Sequence, residues 1–376
     1  MMLRIILLIP AQKNKYSAIN NIFDDLCLAL DEKNIEWERV FINNPRVKYD
    51  DYAKESKTIE GKDLKKYIKI NSQIETIFVT IDDFYITKML YGKQANENLL
   101  IWAHYFYGHR FIFHRYNEID HFFPVSFFNK LLSKLSELIP IFILRAILRK
   151  YVQTLAKSSV VSQSIWTDLL LERVYGIKTK GILPIPVYKE FFPINIQERT
   201  SKILLFLGNY DETDLNSLYD AIEAVKGVTQ IDGIDFFGTK ETGKLFEWHF
   251  HIKVEYAGKL SREELSMIYR SHFLTICPIF NGNFEMVPVE SIMSGTPVIS
   301  FIQPFMEVTG QSEMVANILN LSEIKAKVLL WRKLDCKIRG RERNRILDVM
   351  DSGKVADQLV TYVSDIIKMK TGLTKR

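Results

Sequence analysis

The chain has 376 residues, of which 47% are hydrophobic and 25% charged. That length suits two domains of about 150–200 residues each, and the balance excludes the disordered, collagen-like and disulfide-scaffold classes. The net charge of +5 is too weak by itself to imply a nucleic-acid partner.

Strands and helices alternate along the first half. Leu3–Ile9 is an apolar run broken only by Arg4, as expected of a strand covered on both faces. It has no small-residue cleavage site, so a buried strand fits better than a leader. Ala18–Leu30 predicts a helix with Ile19, Ile22, Phe23, Leu26 and Leu30 on one face. Trp37–Ile42, Thr76–Ile81, Leu99–His104 and the pair Val160-Val161 predict further strands. In the second half, the strand Ile203–Leu207 runs into Gly208, and a helix follows over Leu215–Val225. Strands at Ile234–Phe237 and Lys253–Tyr256 end before Gly238 and Gly258. A helix over Glu263–Tyr269, a strand over Leu274–Pro278, a helix over Pro288–Met293 stopped by Gly295, and a strand over Pro297–Phe301 complete the series. This rhythm argues for two α/β units with parallel sheets, joined near Pro184–Pro193 and facing each other across a cleft. Ligands of such sheets bind beyond the strand carboxyl ends. A last helix, about Val355–Met369, has apolar spacing at Val355, Leu359, Val360, Val363, Ile366 and Ile367. Its apolar face must pack on something, and one option is the first domain.

Metal and membrane chemistry leave fewer marks. The three cysteines, Cys27, Cys277 and Cys336, are far apart, and the seven histidines form no His-Glu-x-x-His pattern, so no metal or resident cofactor is expected. His249 and His251 flank Phe250 and would share a face if that segment were a strand. No apolar run approaches the ~20 residues that span a bilayer. Between Ser126 and Lys157 six basic residues face one acid, Glu137. Phe127, Phe128, Leu131, Leu135, Leu138, Phe142 and Ile143 recur there near helical spacing. With Lys130, Lys134, Arg145 and Arg149, that pattern fits docking on an anionic membrane face; it fits a pair of core helices equally. Lys325–Arg345 holds nine basic residues against Asp335 and Glu342, which reads as a solvated helix face or a second weak membrane patch.

The richest segment is Val254–Ser300. Ser261-Arg262-Glu263-Glu264 is a capping-type helix start. The loop from Asn281 to Met286 leads into a helix N-terminus, whose free N–H groups form a ready site for a phosphate. Glu290 follows about one turn in. A carboxylate there repels phosphate but accepts two hydrogen bonds from a vicinal diol such as ribose. A phosphate cradle beside a diol acceptor describes a nucleotide pocket; a helix cap with a solvated Glu is the alternative.

This segment resembles the donor-binding region of the group 1 (family 4) glycosyltransferases, which have the GT-B fold. The likeness rests on Gly258-Lys259-Leu260-Ser261, Glu263-Glu264-Leu265, Tyr269, Pro278, Phe284, Val287, Glu290 and Gly295-Thr296-Pro297-Val298-Ile299. Ser159–Ser164, Phe192-Pro193 and Leu205-Phe206-Leu207-Gly208 are weaker anchors. The resemblance implies a nucleotide-sugar donor bound by residues 188–350 and an acceptor, glycan, lipid-linked or protein, on the side of residues 1–187, with residues 351–376 as the crossing helix. It implies retaining transfer without a metal, in the cytoplasm or on the inner membrane face. The donor would meet Gly208, Asn209, Lys240, Lys244, Lys259, Asn283, Phe284, Met286, Val287 and Glu290. His104, ending a strand at the cleft edge, and Glu285, lining the donor sugar, would stand nearest the reaction. Two family features are missing. The first Glu of Glu-x7-Glu falls at Gly282, with Glu285 the nearest acid, and the cation expected after Gly208 is Asn209. Lys240, Lys244 and Lys259 follow strand ends on the same predicted edge and offer replacements; a catalytically degenerate scaffold or glycan-binding protein is the alternative.

Overall fold

A computed structural model describes residues 3–10, 18–43, 57–72, 75–81, 84–90, 98–103, 149, 151–193, 199–208, 213–258, 260–279, 286–301, 312–334 and 336–371. The chain divides into two compact units, Met1–Pro186 with Ser352–Arg376, and Val187–Asp351.

The first unit is built on six parallel strands: β1 (Arg4–Pro10), β2 (Glu36–Asn43), β3 (Thr58–Glu60), β4 (Thr76–Ile81), β5 (Leu99–Ala103) and β6 (Ser159–Ser162). Their order is β3-β2-β1-β4-β5-β6, the doubly wound arrangement in which the chain starts in the middle and reverses direction beside β1. All six residues of β4 are buried, because helices cover both faces of a parallel sheet. Helix α1 (Ala18–Glu32) buries Ile22, Phe23, Leu26 and Leu30 at helical spacing. Two short helices, α2 (Leu64–Asn71) and α3 (Phe84–Leu90), precede α4 (Ile165–Tyr175). Ser164 caps α4 by accepting from the Thr167 N–H, and Gly176 ends it at φ +66°.

The last helix, α11 (Ser352–Thr371), belongs to this unit and packs on α1. Its buried stripe is Val355, Ala356, Leu359, Val363 and Ile366. Lys33 pairs with Asp357 at 2.7 Å, and the Tyr362 hydroxyl donates to the Ile182 carbonyl at 3.0 Å. Gly181, at φ +146°, admits that ring, since a Cβ there would overlap the Tyr362 hydroxyl.

The second unit repeats the plan with β7 (Lys202–Leu207), β8 (Gly233–Gly238), β9 (Glu255–Tyr256), β10 (Leu274–Cys277), β11 (Val298–Ser300) and β12 (Val315–Asn317), in the order β12-β11-β10-β7-β8-β9. Its helices are α5 (Leu215–Lys226), α6 (Lys240–Phe250), α7 (Arg262–Ser271), α8 (Met286–Met293), α9 (Leu321–Trp331) and α10 (Cys336–Met350). Val187 and Asp351, at its two ends, form a parallel bridge, with the Val187 N–H donating to the Met350 carbonyl at 2.7 Å.

Two expectations change here. The segment around Phe250 is the end of α6 rather than a strand, and His251 caps it in a left-handed conformation at φ 56°. His249 and His251 therefore do not share a strand face. The strand over Lys253–Tyr256 is only two residues long, as an edge strand whose first residue is exposed. The Lys325–Arg345 basic run lies mostly on two helices with most of its cations exposed, as expected of a solvated helix face, and several of them are paired. Lys327 pairs with Glu323, Arg341 with Glu313 and the buried Glu342, and Arg343 donates to the Lys189 carbonyl. Among the described residues no helix is long and apolar enough to cross a membrane.

Candidate functional site

In the second unit the sheet reverses direction between β7 and β10, and ligands of doubly wound sheets bind at the carboxyl edge beside such a reversal. The two departing chains are tied together. Thr213 and Ile279 form an antiparallel bridge, and the Asp214 N–H donates to the Pro278 carbonyl at 2.9 Å. The Asp214 carboxylate is spent on capping α5: it accepts from the N–H groups of Asn216 and Ser217 at 3.1 and 3.0 Å. That acid is therefore neutralised by a helix N-terminus rather than offered to a ligand.

On the β8 side, the Thr242 hydroxyl donates to the Gly208 carbonyl at 2.9 Å, and the Thr239 N–H to the Leu207 carbonyl at 2.7 Å. The backbone after β8 comes so close to β7 that a Cβ at Gly238, φ +106°, would overlap the Leu207 carbonyl oxygen. These contacts bring Gly208 and Lys240 to one edge. Lys240, the first residue of α6, is exposed, with its ammonium 5.4 Å from the centre of the Tyr256 ring. Lys244 is exposed about 6 Å further along the helix axis.

On the β10 side, α8 begins at Met286, two residues before the expected Pro288. Pro288 still sits in the first turn, where its missing N–H costs no intrahelical bond. Every residue from Val287 to Met293 is buried. Met286 is half-buried, while the Val287 side chain joins Leu204, Phe237, Tyr269, Cys277 and Ile279 in an apolar cluster. Glu290 is only 7% exposed, and its Oε2 accepts from the Tyr269 hydroxyl at 3.3 Å. Burial, and then the Glu290 charge, push the Tyr269 hydroxyl well above its usual pKa, so it remains a neutral donor. The Tyr269 bond fixes the orientation of that carboxylate.

The frame around Glu290 is made of side chains from the same segment. Thr296 Oγ1 donates to the Tyr269 carbonyl at 2.6 Å. Ser291 Oγ bonds Thr275 Oγ1 at 2.9 Å and the Thr296 carbonyl at 3.0 Å. Gly295 turns the chain at φ +78°. Helix α7 is held by a full capping box, Ser261 with Glu264. Tyr269 and Thr242 were not foreseen as site residues; the first is signalled only by its place within the motif, the second by nothing in the sequence.

His104, Asn209, Lys259, Asn283, Phe284 and Glu285 lie outside the described residues, as do Lys130, Lys134 and Arg145. Arg149 is described and is exposed. No group of three or more His, Cys, Asp or Glu able to hold a metal occurs among the described residues.

No family model matches the sequence, and no curated protein sequence matches it. Solved structures do. Sucrose-phosphate synthase from Thermosynechococcus elongatus superposes with a TM-score of 0.69 at 12% identity, over 97% of this chain and 100% of that one. A glycosyltransferase from Rickettsia africae gives 0.63 at 14% identity, over 98% and 99%. A UDP-forming trehalose-phosphate synthase from Burkholderia xenovorans gives 0.59 at 11% identity, over 97% and 99%. With two doubly wound parallel sheets and these neighbours over nearly its whole length, the chain has the GT-B fold, an α/β architecture of two Rossmann-like domains.

Proposed function

We propose that this protein is a glycosyltransferase, moving a hexosyl group from a nucleotide-sugar to a glycan, lipid-linked or protein acceptor, with retention of configuration and without a metal ion. The observation that carries the reading is Glu290, a nearly buried carboxylate on the helix after β10, beside the sheet's reversal point and oriented by Tyr269. In this reading Glu290 accepts hydrogen bonds from the ribose diol. The N–H groups at the start of α8, with Lys240, Lys244 and Lys259, stabilise the charge that grows on the diphosphate as the glycosidic bond breaks. Gly208 and Asn209 lie along the nucleotide, and Asn283, Phe284, Met286 and the Val287 main chain line the donor. His104 and Glu285 stand nearest the reacting sugar. The fold shared with a UDP-forming synthase supports a nucleoside-diphosphate leaving group. Glu290→Gln is the test, read as donor-sugar turnover and nucleotide affinity; the reading fails if both stay at wild-type values.

We place the protein in the cytoplasm, docked on the inner membrane face through Lys130, Lys134, Arg145 and Arg149. Cosedimentation with anionic vesicles should fall when these four are reversed in charge, and equal binding by both forms rejects the docking.

A second reading, a catalytically silent GT-B protein that scaffolds another enzyme or binds glycan, is favoured by Gly282 and Asn209 standing where a carboxylate and a cation are expected. A thermal-shift panel of nucleotides and nucleotide-sugars separates the two. One nucleotide raising the melting temperature supports the enzyme, and a flat panel supports the scaffold.

A further inference from the structure

Helix α9 is apolar on two sides. Its inner side buries Ile324, Val328 and Trp331 in the core of the second unit, against the edge strand β12. That seat is fixed, since the Trp331 indole N–H donates to the Glu313 carbonyl at 2.7 Å and Lys327 pairs with Glu323 at 2.9 Å. The core therefore needs nothing from the outer side. Yet Leu329 and Leu330 stand 52% and 65% exposed there, and Leu319 and Leu321, at the start of the helix, 64% and 41%. Four of the thirteen exposed large hydrophobic side chains among the described residues thus fall within twelve positions. Exposed leucines scattered singly are ordinary, whereas a cluster of them marks a surface that is covered in use.

The charges beside these leucines favour one sign. Leu321, Lys325 and Leu329 recur every fourth residue and so form one ridge, with Leu330 next to it and Lys333 just past the helix end. Both lysines are exposed. The acid of the helix, Glu323, is occupied by Lys327. From Leu319 to Lys337 the sequence holds five basic residues against Glu323 and Asp335. That combination chooses the partner. Protein interfaces are depleted in lysine, whereas an anionic lipid surface takes leucines between its headgroups while long lysine side chains reach the phosphates.

We propose that the outer side of α9 is a docking surface for an anionic membrane, with Leu329 and Leu330 entering the headgroup layer and Lys325 and Lys333 held at its phosphates. The surface lies wholly within the second unit and does not depend on the transferase reading. It is separate from Lys130, Lys134, Arg145 and Arg149, and stands whether or not those four touch lipid.

Cosedimentation of the full chain with vesicles of phosphatidylglycerol and phosphatidylethanolamine, and with neutral phosphatidylcholine vesicles, tests this. Wild type should bind the anionic vesicles about tenfold or more tightly than the neutral ones, and release them as salt is raised. Leu329→Ser with Leu330→Ser should weaken that binding by about tenfold or more, because the leucines supply the buried apolar area. Lys325→Glu with Lys333→Glu should weaken it to a similar extent at low salt, and serves if the serine pair does not fold. No binding by wild type, equal binding to neutral vesicles, or wild-type binding by either folded pair would each overturn the assignment. A wild type that self-associates, and that the serine pair makes monomeric with vesicle binding unchanged, would give the surface to a second copy of the chain instead.

Discussion

Replacing Tyr269 with Phe removes one oxygen and leaves the ring in place, so it isolates the bond that orients Glu290. The ring is fully buried in an apolar cluster, and its hydroxyl donates to Glu290 Oε2 at 3.3 Å. Hydrogen bonds to charged groups contribute about 1.5–3 kcal/mol. The distance is longer than the ~2.7–2.8 Å typical of O–H···O bonds, which places this one at the lower end, about 1.5 kcal/mol. In a domain of this size that corresponds to a melting temperature lower by roughly 3–6 °C. Calorimetry of wild type, Tyr269→Phe, Glu290→Gln and the double variant measures the coupling directly. Residues in contact should couple by about 0.5 kcal/mol or more, and with Glu290 no longer oriented, nucleotide affinity should fall in Tyr269→Phe as well. Single-variant effects that add to within about 0.3 kcal/mol would show that the hydroxyl does not hold the carboxylate, and the orienting role would be withdrawn.

Gly238→Ala should lower the melting temperature by several degrees, because the position has φ +106° and a Cβ there overlaps the Leu207 carbonyl oxygen, which belongs to the backbone and has little room to move. Near-wild-type melting would mean that β7 and β8 separate there more readily than their spacing implies. Among the three thiols, exposed Cys336 should react with a disulfide reagent at pH 8 in the native protein. Cys27 should react only on unfolding, because burial pushes its thiol up to about 11 despite the bond it accepts from Arg39 Nη2 at 3.2 Å. Labelling of Cys27 at the native rate of Cys336 would contradict that burial.

Most strands of both sheets were legible because burial on two faces leaves an apolar run, as in Ile203–Leu207. The helix over Ala18–Glu32 was legible from its stripe, and that over Arg262–Ser271 from its capping box. Strands β3 and β12 were not: three residues at a sheet edge are too few to show alternation or an apolar run. Helix α6 was hidden by Gly243, a poor helix residue by itself. The structure shows why it is there, since a Cβ at that position would overlap the Phe236 ring. The same helix misled the reading of His249 and His251, whose alternation around Phe250 reflects a helix end, not a pleat. Strand order could not be read from periodicity, because pairing is a tertiary choice. Only the doubly wound rule connects β7 to β10.

The segment that most resembled a known family does more mechanical than chemical work among the described residues. Thr296 ties the turn before β11 to the Tyr269 carbonyl, Ser291 ties α8 to β10, and Gly295 supplies the left-handed turn between them. Each bond is buried, so each polar group must be matched and few alternative residues would serve. Together they leave α8 one position against the sheet and Glu290 one orientation against Tyr269. A loop can exchange its side chains while keeping its backbone N–H groups, whereas a buried frame cannot change one member alone. That difference accords with a chain that matches the resembled pattern at Gly295-Thr296-Pro297 and Glu290 but departs from it at Gly282 and Asn209. Under the proposed function, it makes Glu290, rather than Lys240, Lys244 or Lys259, the place where substitution should separate a working donor site from a vestigial one.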